Sequence, residues 1–421
     1  MRRAILVILD GLRRDLISPE TTPNLAAFAA RAEGFRDYHT VFPSCTRVVS
    51  SSLATGCHPA RHGLQGNTMA LVEDGRLVRH DAGRPDFLQH KRAVTGHALA
   101  VPTLAERLRD AGGVVIFNNV SPGAAYAHDP DGHGHVYHRA GSFGPGRTPL
   151  PEDRQMRISL DAAGERVMTD RFIAEAVQGA DAPALAVLWL GEPDSSQHSL
   201  PLGSPEHLAI LKQADANAGR VMTAVGALAP EEDILFLIGS DHGHQSVREV
   251  IHVEAELVAA GLKADLASTD VVVASNGTSF LVYLGPAALA REAEIAAFLA
   301  SRHWAGRVIA RADLATVGHR DENGLALAVS MRADGTPNAF GVPGTSYAAQ
   351  RSEGKDDTIG AGQHGGLGAG EQSPFLMARG PGFAPGTVRS GAASVIDIAP
   401  TVLAHLRQPA NGMDGTALQR G

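Results

Sequence analysis

Three stretches of this chain are continuous apolar runs of strand length: AILVIL at 4–9, PALAVLWL at 183–190 and ILFLIGS at 234–240. A strand without polar alternation is expected to be buried on both faces, as in a parallel sheet covered by helices. VVIF at 114–117 follows a helix expected over 103–111, and PFLMARG at 374–380 reads as another core strand. A helix over 205–229 precedes the third run, and VIDIAPTVLAHL at 395–406 reads as a terminal helix. The fold class is therefore α/β with a mostly parallel central sheet. At 421 residues the chain needs two domains or one large core with insertions. Residues 250–355 change character, with a helix at 254–260, a strand pair near 271–274 and 279–284, a helix from 287 and a strand-like 325–331. They read as an α+β cap inserted into a core made of 1–249 and 356–421.

In open α/β sheets ligands bind at the carboxyl ends of strands, so the residues directly after each run carry the functional signal. Asp10 ends the first, as a site acid or as the cap of a following helix. The second delivers Asp194 and His198, which share a metal if the turn curls as a helix start and are otherwise loop residues without contact. The third delivers Asp241-His242-Gly243-His244, and a buried strand has little structural need for an acid and an imidazole at its end. His364 stands among Gly362, Gly365 and Gly366, where nothing bulky keeps it from a metal. The hydroxyl-rich FPSCTRVVSSSLATGCHPARHG at 42–63 reads as a loop turning into a helix. Its start suits a phosphate, and equally suits ordinary capping by Ser44 and Thr46.

Other segments are blander. Thr21-Thr22-Pro23-Asn24 starts a capped packing helix. Residues 64–90 are turn-rich, with Asn67 read on its own as a turn residue, and Asn118 and Asn119 are turn residues or substrate donors. His128, His133, His135 and His138 read as a solvated loop or a pocket rim.

A net charge of −8 argues against nucleic acid or anionic membrane as partner. Cys45 and Cys57 are the only cysteines, too few for a disulfide framework, and both are expected as reduced thiols. No window reaches a membrane span and the first apolar run is too short for a signal segment, so the expected location is the cytoplasm.

The order Asp, Thr, Asp-x-x-x-His, Asp-His, His resembles the alkaline phosphatase superfamily, in the branch of type I phosphodiesterases, nucleotide pyrophosphatases and phosphonoacetate hydrolases. The matching pieces are VILDG with Asp10, TPNL at 22–25, PSCT and TGCHPARHGLQGN within 43–67, EPDSSQH at 192–198, SDHG at 240–243 and QHGG at 363–366. The resemblance implies a three-layer sandwich and two Zn²⁺ per chain. One zinc would sit on Asp10, Asp241 and His242, the other on Asp194, His198 and His364, with Thr46 as nucleophile and further ligand. Two divalent ions about 4 Å apart would activate the attacking oxygen and stabilise the leaving one, through a phospho-threonine that water then hydrolyses. Three carboxylates and three neutral imidazoles leave such a pair net positive, which attracts an anionic ester. The resemblance also promotes Asn67 to a phosphoryl-oxygen donor.

Two departures from the pattern matter. Relatives often follow the nucleophile with Pro-Asn, whereas Arg47-Val48-Val49 stands here, so Arg47 is a candidate for substrate or for a structural ion pair. Sulfatases place a Cys where Thr46 stands and an Arg where Ser50 stands, and Cys45 is one residue out of register. The expected activity is a two-zinc phosphohydrolase acting on phosphodiesters or nucleotide pyrophosphate bonds. The alternatives are a phosphonoacetate-hydrolase-like cleavage of a P–C bond, although the lysines that hold carboxylate in that family are scarce here, and a non-catalytic metal-binding relative. The expected partner is a small anionic phosphoester or phosphonate, and the oligomeric state is open, a homodimer included.

Overall fold

The computed structural model describes residues 2–230, 233–351 and 357–420. The three apolar runs form adjacent parallel strands, Leu185–Leu190, Arg3–Leu9 and Ile234–Gly239, at the centre of a ten-stranded sheet. Register sets their ends level: Ile8 pairs with Trp189 on one side and with Gly239 on the other. Val114–Asn118 adds a further parallel strand beyond Leu185–Leu190. Leu376–Arg379 runs antiparallel beside Ile234–Gly239, so the sheet is mixed at that side. Mixed edges are common on otherwise parallel sheets.

Alternation along Arg3–Leu9 divides the core. Ala4, Leu6 and Ile8 pack with Val48, Val49 and Leu53 of the helix Thr46–Thr55 and with Val402 and Leu403 of the terminal helix. Ile5, Val7 and Leu9 pack on the other face with Leu25, Phe28, Met168, Phe172 and Leu211. Two helical layers about one sheet result, which is the expected three-layer sandwich. The long helix spans Pro205–Gly226. Thr22 does not cap the helix Pro23–Ala29; the buried carboxylate of Asp215 accepts from the N–H groups of Asn24 and Leu25 at 2.9 Å each. A partner distant in sequence thus replaces the local cap.

The turn-rich reading of residues 64–90 is corrected by a hairpin, Thr68–Glu73 with Arg76–Asp81. Asp74 and Gly75 both have positive φ, the two-residue turn that Asp-Gly favours. Within residues 250–355, strands Val271–Ser275, Ser279–Leu284, Leu325–Met331 and Ala305–Ala310 form an antiparallel sheet with a core around Phe280, Trp304, Ile295 and Leu299. Pro343–Ala349 returns beside Gln245–Ile251, which in turn meets Gly362–Gln363. The junction expected at 355/356 lies outside the described residues. Among the described residues no helix is long and apolar enough to cross a membrane.

Candidate metal centre

Level strand ends bring three acids to one edge of the sheet. The Asp10 N–H donates to Leu190 O and the Asp194 N–H to Asp10 O, each at 3.1 Å. Asp241 Oδ1 accepts from the Gly11 N–H at 3.0 Å, and Asp10 Oδ2 from the Trp189 indole N–H at 2.8 Å. Gly11 has φ +69°, and a Cβ there would lie 2.5 Å from the His244 ring and 3.0 Å from Asp194 Cβ. Only glycine fits a turn of this hand and tightness.

The acids carry two groups of potential metal donors. Asp10, Asp241 and His242 form one; Asp194, His198, His244 and His364 form the other; within each, one donor atom per residue lies within 4.8 Å of the rest. His242 Nε2 lies 3.4 Å from Asp10 Oδ1 and 3.1 Å from Asp241 Oδ2. In the second group, Asp194 Oδ2 lies 3.4 Å from His198 Nε2 and Oδ1 3.5 Å from His364 Nε2. The rings of His242 and His364 stack with centroids 3.7 Å apart, so the groups adjoin. Backbone carbonyls orient both rings: His242 Nδ1 donates to Gly243 O at 3.1 Å and His364 Nδ1 to Ser44 O at 2.7 Å. Each Nε2 is then a lone pair available to a cation.

Thr46 is the first residue of its helix, behind the extended N-cap Cys45, and caps nothing. Its hydroxyl lies 3.1 Å from His242 Nε2. Ser44 is no cap either. Its hydroxyl accepts from the Gly365 N–H and donates to Gly366 O, tying the helix start to the loop that carries His364.

The electrostatics suit cations. Burial, then the neighbouring Asp241 and Asp194, holds the Asp10 carboxyl well above the usual range, and burial pushes Asp241 up to about 7. Burial lowers His242 to about 3 and His364 well below its ordinary value. Burial would raise Asp194 too, but His198 and the facing rings bring it well below normal. Asp10 Oδ1, Asp241 Oδ2, Asp194 Oδ1, His198 Nδ1 and His244 Nε2 are buried without a hydrogen-bond partner. Buried polar atoms are ordinarily satisfied, so acceptors left facing one another fit a pair of divalent ions.

These groups open on a cavity of about 350 Å³ lined also by Asn67, Arg47, Arg139 and Arg351. Asn67 Oδ1 accepts from the Arg47 N–H at 3.1 Å, which leaves the amide NH₂ as its donor end. Arg47 bonds Ser121 through Nε at 3.1 Å and approaches Asp81 at 3.6 Å. Gly83 makes room for it, since a Cβ there would fall 2.2 Å from the guanidinium. Asn118 and Asn119 do not reach the cavity. Asn118 Oδ1 accepts from the Val120 N–H, and Asn119 bonds Ser159 O and Arg139. Neither is among the residues lining the cavity, which corrects the expectation of substrate donors. The solvated-loop reading is corrected for His128 and His138, both buried; His138 Nε2 bonds Val120 O. Asp129 accepts from the N–H groups of His133 and Gly134 and folds the loop inward.

Sequence reading missed His244, Arg139 and two buried glutamates. Glu165 Oε1 accepts from the N–H groups of Gly191 and Glu192, shaping the turn ahead of Asp194, and burial raises its carboxyl to about 8. Glu371 accepts from Gly366 N–H, Gly368 N–H and the Thr278 hydroxyl, fixing the loop after His364; burial raises it to about 7. Neither stands in a strand-end motif, so no local signal singles it out. His244 did have one, an imidazole two residues from His242.

This three-layer fold with acids and imidazoles at the strand ends is that of the alkaline phosphatase superfamily. Residues 4–356 match the family of type I phosphodiesterase / nucleotide pyrophosphatase, and the chain belongs to it. Murine ectonucleotide pyrophosphatase/phosphodiesterase 5 (ENPP5) is similar in structure, with a TM-score of 0.70 at 17% identity over 99% of this chain and 98% of that one. An inactive variant of it in complex with AMP is equally similar, with TM-score 0.70 and 17% identity over 99% and 98% of the two chains. Phosphonoacetate hydrolase from Sinorhizobium meliloti in complex with phosphonoformate gives a TM-score of 0.66 at 17% identity, covering 97% of this chain and 95% of that one. No curated protein matches the sequence.

Proposed function

We propose that the chain is a two-zinc phosphohydrolase that cleaves phosphodiester or nucleotide pyrophosphate bonds through a phospho-threonine at Thr46. The observation that carries this reading is the Thr46 hydroxyl 3.1 Å from His242 Nε2, where the two donor groups adjoin. Asp10, Asp241 and His242 would hold one ion, and Asp194, His198 and His364 the other. When bound, two such ions lower the pKa of the attacking hydroxyl and neutralise the charge that grows on the phosphoryl and leaving oxygens.

The remaining work falls to the chain's own groups. Thr46 Oγ1 forms the bond to phosphorus as the bond to the leaving oxygen breaks, and water then releases the phosphoryl group and restores the hydroxyl. The Asn67 amide donates to a phosphoryl oxygen, held for this by its bond from the Arg47 N–H. The 250–355 cap contributes Ser275, Asn276, Gly277 and Arg351 to the wall and sets which substrates enter.

A second reading, P–C bond hydrolysis of a compact phosphonate, is favoured by the wall itself. No Phe, Tyr or Trp is among the described lining residues, so a nucleobase finds no phenyl or indole face to stack on. Arg139 bonds Asn119 and Val120 but has no carboxylate partner among the described residues, which leaves its charge for an anionic substituent. Zinc-loaded protein tested on an aryl phosphodiester, an aryl monoester, a dinucleoside pyrophosphate and phosphonoacetate separates these readings by the product released. Turnover is expected to stop on chelation and in Thr46→Ala. No hydrolysis of any of them, or hydrolysis unchanged in Thr46→Ala, would sink the proposal.

A further inference from the structure

Resting on the reading that this site holds divalent ions, we infer that His244 is a fourth protein ligand of the position built on Asp194, His198 and His364. The His244 ring is fully buried. Its Nδ1 lies 3.2 Å from Gly11 O, and a carbonyl only accepts, so Nδ1 carries the hydrogen. In the neutral ring Nε2 is then a lone pair, and it faces Asp194 Oδ1 at 3.1 Å. Both atoms lack a hydrogen-bond partner. Two acceptors at that separation hold together only around a shared cation.

Either a proton or a metal ion could be that cation, and the neighbours decide between them. His198 and His364 face the same carboxylate, with ring centroids 5.0–5.4 Å apart among the three imidazoles. One proton per ring would place three imidazolium charges around one buried carboxylate. A single divalent ion satisfies all four donors at once, with less charge to bury.

The seat of the ring is built for close approach. Besides Gly11, a Cβ on Gly362 would lie 3.0 Å from His244 Cδ2, so the imidazole sits flush between two residues without side chains. The two positions then differ in chemistry: three imidazoles and one carboxylate against one imidazole and two carboxylates. The nitrogen-rich position selects borderline ions such as Zn²⁺ and Co²⁺ and fills first; the oxygen-rich one is weaker and tolerates Mn²⁺.

The test is Co²⁺ titration of the metal-stripped full-length protein, followed by calorimetry and visible absorption, in wild type, His244→Gln and His244→Ala. The expected wild-type result is two ions per chain bound in two separable steps. Both variants are expected to keep the weaker step, to lose about 10²-fold or more in the tighter one, and to change its absorption band, since even groups behind a ligand cost 10–100-fold. His244→Gln preserves polarity and bulk, and its melting curve shows whether the fold is intact. If the variant titrates with wild-type affinities and spectrum, His244 is no ligand, while the two-metal reading stands. If wild type binds no Co²⁺, both fail.

Discussion

Replacing Trp189 by Phe tests how the strand end tunes the proposed metal site. The indole N–H donates to Asp10 Oδ2 at 2.8 Å, and both side chains are fully buried, so no water replaces the donor. The replacement stays aromatic at a position whose indole makes an edge contact with the His128 ring at 5.5 Å. A hydrogen bond to a charged group contributes about 1.5–3 kcal/mol. Without metal, burial and the neighbouring acids favour the neutral Asp10 carboxyl, to which the bond matters less. The loss therefore falls mostly on the ionised, metal-holding form. At about 1.4 kcal/mol per factor of ten, affinity at the Asp10 position should fall about 10- to 100-fold. Competition of the full-length protein with a chromogenic chelator measures this directly. An affinity within about twofold of wild type in a folded variant would show that the indole does not tune the site.

Glu165→Gln should flatten the pH dependence of stability. The folded carboxyl is raised to about 8 from 4.5, so it binds its proton more tightly than the unfolded chain does and wild-type stability falls as pH rises through that window. Gln keeps the acceptor and removes the titration, and denaturation of metal-free protein between those pH values should show a slope reduced by about 1.4 kcal/mol per unit. Asn67→Ala should slow every substrate by about 10²–10³ without releasing metal, as read by kcat/KM beside metal content. Arg47→Ala should weaken binding of phosphonoacetate and monoesters more than of a simple aryl diester, read as KM; equal effects would make Arg47 a structural partner of Asp81 and Ser121 alone.

Much of the core was legible because its signals are local. An unbroken apolar run has few other uses, and Asp10, Asp194 and Asp241 stand where such runs end, so the acid-bearing edge of the sheet could be read residue by residue. The hairpin at Thr68–Asp81 was equally local, announced by Asp74-Gly75, but its mixed polarity hid it. What could not be read depends on partners far apart in sequence. The cap of the helix Pro23–Ala29 comes from Asp215, the turn before Asp194 is shaped by Glu165, and the cavity wall takes Arg139 from a loop that composition alone presents as solvated. Asn118 and Asn119 mislead for the opposite reason. They stand at a strand end like the candidate metal-binding acids, yet that strand lies beyond Leu185–Leu190, Asn118 Oδ1 is taken by the Val120 N–H, and Asn119 is bonded by Ser159 O and Arg139.

Rapid-quench mass spectrometry of the zinc-loaded enzyme turning over an aryl phosphodiester decides whether Thr46 is the nucleophile. A phosphorylated peptide carrying the modification on Thr46 is expected, absent in Thr46→Ala and after chelation. Steady product release with the modification on another residue, or in the Thr46→Ala protein at the wild-type rate, would rule Thr46 out.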